Sequence, residues 1–417
     1  MIIFSKFDKA VLPMVSPKTC MRSKSRKPRV PSQSFEAQVE PSVLVWARES
    51  AGRTIDKVAL KLDVDEHLIK NWESGNEKPT FNQLRILSYY YKRPISAFLL
   101  SEPPKEPLLH DFRELPGEKK VSLQPKTRFA MRRARRLQSL AVELKGEIHN
   151  DKFNKILDMN DVDPESFANN VRNALGIDIL KQSEWKKDID ALNKWVKTIE
   201  ALDILVLQLS MPIEDARAFS FTDGGIPVIA INTQDAINAR IFSLFHELGH
   251  VLLNKGGVCD LSIDWENIHG GSIPVKDLEV FCNHFAGAIL VPKKDLLNHA
   301  LVIGKTKQDQ WSNRSLGTLA NDFKVSREVV LRRLLIFDIV SEEFYKDKRA
   351  EWRNKPSKKP GGGGQDIAKL CIQRNGSPFV SLILESFRNK NITKSDVADY
   401  LDINLKHLPN VERALGS

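Results

Sequence analysis

The chain has 417 residues, of which 41% are hydrophobic, so it is long enough to form several domains with ordinary buried cores. This composition excludes a disordered or fibrous protein. Basic residues exceed acidic residues by ten, an excess that is compatible with contact to nucleic acid, to an anionic membrane or only to solvent. The whole excess lies within residues 1–150, whereas residues 151–417 are almost neutral.

Two features bear on where the protein works. The four cysteines are scattered without a CxxC pair, which is typical of reduced thiols in a cytoplasmic protein. No uncharged apolar run reaches the length of about 18 to 20 residues that a membrane span needs, and the opening residues lack the apolar core of a signal peptide. We therefore expect a cytoplasmic protein that makes no membrane contact.

The first third of the chain divides into three parts. Residues 1–40 are rich in Lys, Arg, Ser and Pro and predict a basic, disordered arm. Residues 41–101 repeat apolar positions at helical spacing and predict a bundle of four or five short helices. Residues 102–160 predict a proline-rich linker and a long basic helix. Residues 119–136 within it carry eight basic side chains and no acidic one, so they either contact phosphate groups or form the solvated face of a packing helix.

A helix-turn-helix pattern occupies residues 54–75 within the bundle. Its apolar residues are spaced as in two short helices joined by a tight turn at residues 62–65. Asp65 is the expected N-cap of the second helix, and Trp72 is its expected anchor in the core.

The pattern changes after two further helices predicted at residues 164–200. Short β-branched or aromatic segments at 204–209, 216–221 and 227–232 are separated by turn residues and predict three strands of a small sheet. The next segment, ARIFSLFHELGHVLLN, has apolar residues every three to four positions and predicts a helix directly after the sheet. The fold class predicted from these elements is α+β, mostly helical.

The remaining elements complete the predicted domains. A helix is expected at about 275–290, and residues 161–354 are predicted to form one domain around the sheet. The segment KPSKKPGGGGQ at 355–365 predicts a linker, because consecutive glycines do not hold a fixed backbone. Residues 366–417 predict a small, separate C-terminal helical domain.

The segment His246-Glu247-Leu248-Gly249-His250 is an HExxH motif. Residues four apart lie on one face of a helix, so the two imidazoles can bind one Zn²⁺ while Glu247 lies beside the open coordination position. The neighbouring residues are apolar, which predicts a buried helix, and buried histidines need a partner such as a metal.

A third ligand is expected from the helix predicted at 275–290. Glu279 would complete a His₂Glu site with one position left for water, as in catalytic zinc sites. Asn283 lies one helical turn further on, where it either accepts a hydrogen bond from a ligand histidine or simply packs. Cys282 is interpreted as a buried structural thiol. His269, His284 and His299 are weaker candidates for assistance in catalysis.

Residues 203–292 resemble the ImmA/IrrE family of zinc metallopeptidases, in which HELGH supplies two metal ligands and an E-x-x-A-N-x-F-A segment supplies the third. The resemblance implies a zincin-like domain in which His246, His250 and Glu279 bind zinc and Glu247 is the general base for peptide hydrolysis. Cys282 stands where the family often has alanine.

Residues 54–75, with the segment that follows them, resemble the XRE-type helix-turn-helix of phage repressors, which is also found fused to ImmA/IrrE peptidases. The resemblance implies a recognition helix that presents four residues to base edges and two basic residues that contact the DNA backbone. The four are Glu66, His67, Lys70 and Asn71, and the two are Arg53 and Lys78. This unit has an excess of only two basic residues, so it either reads DNA with help from the basic segments beside it or docks a protein.

Together these patterns predict a DNA-associated, zinc-dependent endopeptidase. The family resemblance implies that its substrate is a transcriptional repressor, whose cleavage switches on stress or mobile-element genes. The alternative is a non-catalytic transcription regulator or an antitoxin that binds a partner toxin through its zincin-like domain. A homodimer on a two-fold operator is a further expectation.

Overall fold

The computed structural model describes residues 35–104, 123–145, 153, 155–156, 163–255, 275–353 and 366–416. Most of the predicted basic arm, most of the linker before Pro125 and the glycine-rich linker lie outside these residues, so the domain boundaries stay predictions. The described part is mostly helical with one small sheet, which confirms the α+β prediction. Its helices include none that is long and apolar enough to cross a membrane.

The N-terminal bundle contains four α-helices followed by a short 3₁₀-helix. They are α1 (Pro41–Ser50), α2 (Ile55–Leu62), α3 (Glu66–Ser74), α4 (Phe81–Tyr91) and the 3₁₀-helix Ile95–Leu99. Between α2 and α3 the chain turns at Asp63, whose φ of 56° places it in the left-handed region. The Asp65 side chain accepts a hydrogen bond of 2.7 Å from the His67 backbone N–H, and Trp72 is buried in the bundle core. The predicted N-cap and anchor are therefore confirmed.

Residues 125–136 of the basic segment lie on α5 (Pro125–Lys145). The residues Ala130, Ala134, Leu137 and Ala141 recur at helical spacing and are buried against the sheet. Several basic residues on the other faces of α5 bind to distant parts of the chain. For example, Arg135 forms an ion pair of 2.6 Å with Asp223.

The sheet follows three helices, α6 (Pro164–Leu175), α7 (Ile179–Ser183) and α8 (Asp188–Glu200). Its strands are β1 (Leu205–Leu209), β2 (Ala218–Phe221) and β3 (Val228–Asn232), in the order β1-β3-β2. β1 is parallel to β3, with Leu205 opposite Val228, and β2 is antiparallel to β3, with Ala218 opposite Ile231. The three predicted strands are confirmed, and β2 lies at an edge of the sheet.

After the sheet the chain forms six helices. They are α9 (Ile237–Lys255), α10 (Val275–Leu290), α11 (Lys293–Leu297), α12 (Asn313–Asp322), α13 (Arg327–Ile336) and α14 (Glu342–Arg353). Residues of α6 and α8 to α13 form one hydrophobic core with the inner face of the sheet, represented by Val206 and Ile229. This core holds α9 and α10 side by side.

Residues 366–416 form α15 (Ile367–Asn375), α16 (Ser377–Arg388), α17 (Lys394–Leu401) and α18 (Leu408–Gly416), with a 3₁₀-helix at Leu405–His407. Their apolar residues share a second core with α5 and the outer face of the sheet, represented by Leu207 and Val228. Both faces of the sheet are therefore covered, which explains why every residue of β1 and β3 is buried.

Candidate metal centre

The HExxH motif lies on the central part of α9. His246 and His250 are one helical turn apart, and their Nε2 atoms are 3.2 Å from each other. The helix is held by buried apolar residues on its other face, and Phe245 packs edge-on against Trp195 with ring centroids 4.8 Å apart. The helical spacing that predicted a common metal-binding face is thus present in the structure.

Glu279 on α10 completes the cluster. Its Oε2 atom is 3.2 Å from His246 Nε2, and its Oε1 atom is 3.2 Å from His250 Nε2. Tetrahedral ligands at about 2.0–2.1 Å from a zinc ion are about 3.3 Å from one another. The three side chains therefore fit three corners of a tetrahedral zinc site, and in the part of the chain that the structure describes they are the one group of this kind.

The charges at the cluster reinforce each other. Burial disfavours a charged imidazole at position 246, but the hydrogen bond that this imidazole donates to Glu279 and the charge of Glu247 outweigh it and raise the pKa of His246. Burial also acts against the carboxylate of Glu279, yet the hydrogen bonds that it accepts from His246 and His250 hold the pKa of that carboxyl well below its usual range. An anionic ligand thus faces both histidines, which suits a divalent cation.

Gly249 explains how α9 and α10 come so close. A Cβ atom at this position would lie 3.1 Å from Cys282 Sγ and 3.2 Å from Phe285 Cδ1. The thiol of Cys282 is fully buried, in agreement with its interpretation as a structural residue. Small side chains at this crossing therefore allow Glu279 to reach the two histidines.

Polar side chains hold the other end of α10. Arg172 donates to the Ile289 carbonyl at 2.6 Å, Gln182 to the Leu290 carbonyl at 3.0 Å and Arg333 to the Val291 carbonyl at 3.0 Å. These three carbonyls lie at or beyond the end of the helix, where intrahelical donors run out. The three bonds fix the position of α10, and hence of Glu279.

Glu247, the expected general base, is almost fully buried and has one clear partner. Its Oε2 atom accepts a hydrogen bond of 2.7 Å from Ser220 Oγ on the edge strand β2. Ser220 is not among the site residues predicted from the sequence. The sequence signal for this residue is the alternation in AFSF. Phe219 and Phe221 face the outer core, and because side chains alternate along a strand, the serine between them faces α9.

Asn283 lies beside the cluster and adds to the effects that raise the pKa of His246. However, His246 Nδ1 is buried without a hydrogen-bond partner among the described residues. A hydrogen bond between Asn283 and His246 Nδ1 is therefore not seen, and the role of Asn283 stays a prediction.

The two weaker histidine candidates that the structure describes, His284 and His299, do not join the cluster. His284 lies 2.5 Å from Glu165, and His299 lies 3.2 Å from Asp322. His269 is outside the described residues. The first two histidines therefore have carboxylate partners away from the cleft.

The cluster opens into a cleft of about 340 Å³. Residues of α9, α10 and β2 form most of its lining. Thr127 and Met131 of α5 also line the cleft, together with Leu123, which lies just before α5. Asp215, which is buried just before β2, accepts hydrogen bonds from the Gln124 backbone N–H at 2.9 Å and from the Thr127 hydroxyl. This anchors the first turn of α5 at the cleft.

The residues expected to contact DNA lie on the bundle, away from the cluster. Glu66, His67 and Lys70 are exposed on α3, with Glu66 and Lys70 3.7 Å apart as a surface ion pair. Asn71 is half-buried and donates to Glu77 Oε1 at 2.7 Å.

The two predicted backbone contacts are also engaged within the bundle. Arg53 packs over the Tyr90 ring, with its Cζ atom 4.1 Å from the ring centroid, and Lys78 donates to Gln38. Of the six predicted DNA contacts, three are therefore exposed on α3: His67, and the surface pair of Glu66 and Lys70.

The comparison with known families concerns the metal-binding part of the chain. Residues 199–335 match the model of the IrrE N-terminal-like domain of the Peptidase_M78 family. The matched segment runs from the end of α8 to α13 and contains the histidines, Glu247, Glu279 and Ser220. A search of curated proteins finds none that matches the chain. The family match supports a relationship to metallopeptidases of the ImmA/IrrE type for this segment and does not extend to the bundle.

Proposed function

We propose that the protein is a DNA-associated, zinc-dependent endopeptidase that cleaves a transcriptional repressor. The observation that carries the catalytic part is the cluster in which the Nε2 atoms of His246 and His250 are 3.2 Å apart and each lies 3.2 Å from an oxygen of the Glu279 carboxylate. These separations match the spacing of zinc ligands. When bound there, zinc supplies a Lewis acid and lowers the pKa of water towards 7.

Glu247 is the residue of this chain that moves a proton. It lies next to His246 on α9 and lines the cleft, so it can take a proton from water and return it to the leaving amine. Ser220 holds one of its carboxylate oxygens. This leaves the second oxygen for the proton transfer and fixes the direction in which the carboxylate points.

β2 gives the substrate its position. As an edge strand it has β3 as its neighbour on one side, and its residues 218–220 line the cleft. An extended peptide can add along such an edge through backbone hydrogen bonds, while side-chain pockets set its specificity. The bond to be cut would then lie across the cluster of His246, His250 and Glu279.

Zinc content and cleavage together test the catalytic proposal. The full chain, desalted stringently, should retain one zinc ion by elemental analysis, and His246→Ala should lose it. Glu247→Gln should retain zinc and lose cleavage of a repressor encoded beside its gene, whereas Glu343→Gln, at an exposed glutamate, should cleave normally.

Two results would contradict this proposal: a protein without stoichiometric metal, and a Glu247→Gln variant that cleaves normally. A stable one-to-one complex formed equally by wild type and Glu247→Gln, without cleavage, would favour the regulator or antitoxin alternative.

DNA association rests on the bundle. Three features support it: the short turn at Asp63, the capped α3 and the exposed side chains of Glu66, His67 and Lys70. A duplex selected from a random pool should bind wild type better than a scrambled duplex. Lys70→Ala/Asn71→Ala should abolish this preference, while Lys394→Ala on α17 should keep it. Equal affinity for both duplexes would exclude sequence reading.

A further inference from the structure

A second concavity, which we term the basic groove, lies apart from the metal cleft. It has a volume of about 1940 Å³ and is bordered by α4, α5, the start of α9 and residues of α15 and α17. α5 separates the two sites, since Phe129 and Arg132 line the groove whereas Thr127 and Met131 line the cleft. Sites for small molecules usually measure about 300–1000 Å³, so this groove has room for part of a polymer.

The groove concentrates positive charge. Ten basic and four acidic side chains line it, an excess of six, while the whole chain has an excess of ten. Five of the ten basic residues are exposed, and two of these are Arg85 on α4 and Arg374 on α15. Neither forms an ion pair with the residues that the structure describes. Both line the groove as cations that can accept an anionic partner.

Arginines crowd one wall of the groove. Burial lowers the pKa of Arg133, and the nearby positive charges of Arg374 and Arg136 lower it further. The negative charge of Asp402 acts in the opposite direction and raises this pKa. The acids that offset this crowding are well exposed: Asp402, 3.5 Å from Arg133, and Asp399, paired with Arg136. Exposed pairs contribute little stability, so phosphate groups can replace these carboxylates.

Arg240 extends the positive wall into the interior. It is only 9% exposed, on the first turn of α9, and its guanidinium donates to Gln208. Its Nε atom is buried without a hydrogen-bond partner in the described part of the chain. An unmet donor on a buried cation favours an anionic acceptor at this position.

Aromatic rings lie among the cations. Tyr89 is 79% exposed, and Phe129 and Tyr400 also line the groove. Exposed rings give stacking surfaces to unpaired bases, and a cationic groove with such rings is the usual design for binding single strands. An acidic peptide would use the cations but leave the Tyr89 ring without a role, and the bases of a duplex are already stacked.

We propose that the basic groove binds single-stranded nucleic acid, with its phosphates on Arg85, Arg374 and Arg240 and a base on Tyr89. DNA and RNA strands share this chemistry. The inference does not depend on zinc binding or on duplex recognition by α3.

Fluorescence anisotropy with the full chain tests the proposal. The labelled probes are a 15-nucleotide dT strand, a 15-nucleotide rU strand, a 15-base-pair duplex and polyglutamate, each measured over a range of salt. One or both strands should bind more tightly than duplex and polyglutamate. The relative affinities of the dT and rU strands show whether the groove prefers DNA or RNA. Arg85→Glu/Arg374→Glu should weaken strand binding about 10-fold or more. It should also flatten the slope of log K against log salt by about 1.4, because each lost phosphate contact on a single strand removes about 0.7.

Matched variants separate the groove from overall charge. Arg314→Glu/Arg332→Glu makes the same change in net charge at two exposed arginines outside the groove and should alter the affinity by less than about twofold. Tyr89→Ala, which leaves the charge unchanged, should weaken strand binding about 3-fold or more through lost stacking. Circular dichroism checks that each variant is folded.

Four results would overturn the proposal. The first is that Arg85→Glu/Arg374→Glu binds the strands like wild type, and the second is that the Arg314→Glu/Arg332→Glu control loses as much affinity as this variant. The third is that polyglutamate or duplex binds as tightly as the strands. The fourth is that Lys70→Ala/Asn71→Ala, on α3, loses strand binding.

Discussion

Gly249 on α9 faces Cys282 on α10 so closely that a Cβ atom at position 249 would lie 3.1 Å from the cysteine Sγ atom. The glycine of HELGH is therefore a packing requirement for the third ligand. It sets the distance between the helix that carries the two histidines and the helix that carries Glu279.

We predict that Gly249→Ala pushes the two helices apart. Overpacking of this kind usually costs about 1–3 kcal/mol, so the variant should unfold at lower urea concentration. It should also bind zinc more weakly, because Glu279 moves relative to His246 and His250. Urea titration and zinc titration with a competing chelator measure the two effects.

The matched control is Gly249→Ala/Cys282→Ala, in which removal of the sulfur returns part of the space. It should bind zinc more tightly than Gly249→Ala alone. If the double variant is no better, or if Gly249→Ala binds zinc like wild type, the close approach of the helices does not position Glu279.

Ser220 provides a second test, on the proposed general base. Ser220→Ala removes the hydroxyl that holds Glu247 and leaves the metal ligands untouched. A positioned general base contributes about 10²–10⁴ in rate, so a loss of orientation should lower kcat by about 10-fold with little change in KM or zinc content. Steady-state cleavage of the repressor measures both constants.

Ser386→Ala is the control for this prediction, since Ser386 is equally buried but lies on α16. It should keep the kcat of wild type. A Ser220→Ala variant with unchanged kcat would show that the hydrogen bond to Glu247 has no part in the reaction.

Local patterns predicted much of the site and the fold. The spacing of His246 and His250 fixes a common helix face whatever the rest of the chain does, and the predicted strands were recognisable from short β-branched segments. The role of Ser220 could not be predicted, because its partner is 27 residues away and the contact depends on which helix covers β2. Glu165, which binds Arg333 from 168 residues away, illustrates the same limit: sequence spacing does not reveal contacts made by the packing of distant helices.

Glu165 should make the protein sensitive to acid. Burial disfavours its charge, but hydrogen bonds from Arg333 and His284 lower its pKa from 4.5 to about 2. A carboxyl with a lowered pKa adds stability above its unfolded pKa and loses it as the pH falls through the folded pKa. The contribution, about 3 kcal/mol by the size of the shift, should therefore be present at pH 6 and disappear between about pH 4.5 and pH 2.

Glu165→Gln resembles the protonated side chain and isolates this effect. In chelator-treated protein, its free energy of urea unfolding should be lower than that of wild type at pH 6, and the gap should shrink towards zero near pH 2. Glu328→Gln, at an exposed surface pair, should show no such trend. A gap for Glu165→Gln that is constant with pH would contradict the assignment.

Glu200 should have the opposite dependence on pH. It ends α8, is 8% exposed and accepts a hydrogen bond of 3.0 Å from the Ser377 backbone N–H, which joins α8 to the C-terminal helices. Burial raises its pKa from 4.5 to about 7, against the lowering effect of that hydrogen bond. The folded chain thus keeps a proton that the unfolded chain releases, so stability falls as the pH rises from about 4.5 through 7.

Glu200→Gln stays neutral at every pH and keeps an oxygen for the Ser377 N–H. It should match wild type in urea unfolding at pH 4 and be more stable at pH 8, by up to about 3 kcal/mol from the size of the shift. Glu385→Gln, at an exposed position on α16, should leave the unfolding free energy unchanged at both values. A Glu200→Gln variant that is less stable than wild type at pH 8 would mean that the ionised carboxylate is bound favourably, and that the contact between α8 and the C-terminal helices depends on its charge.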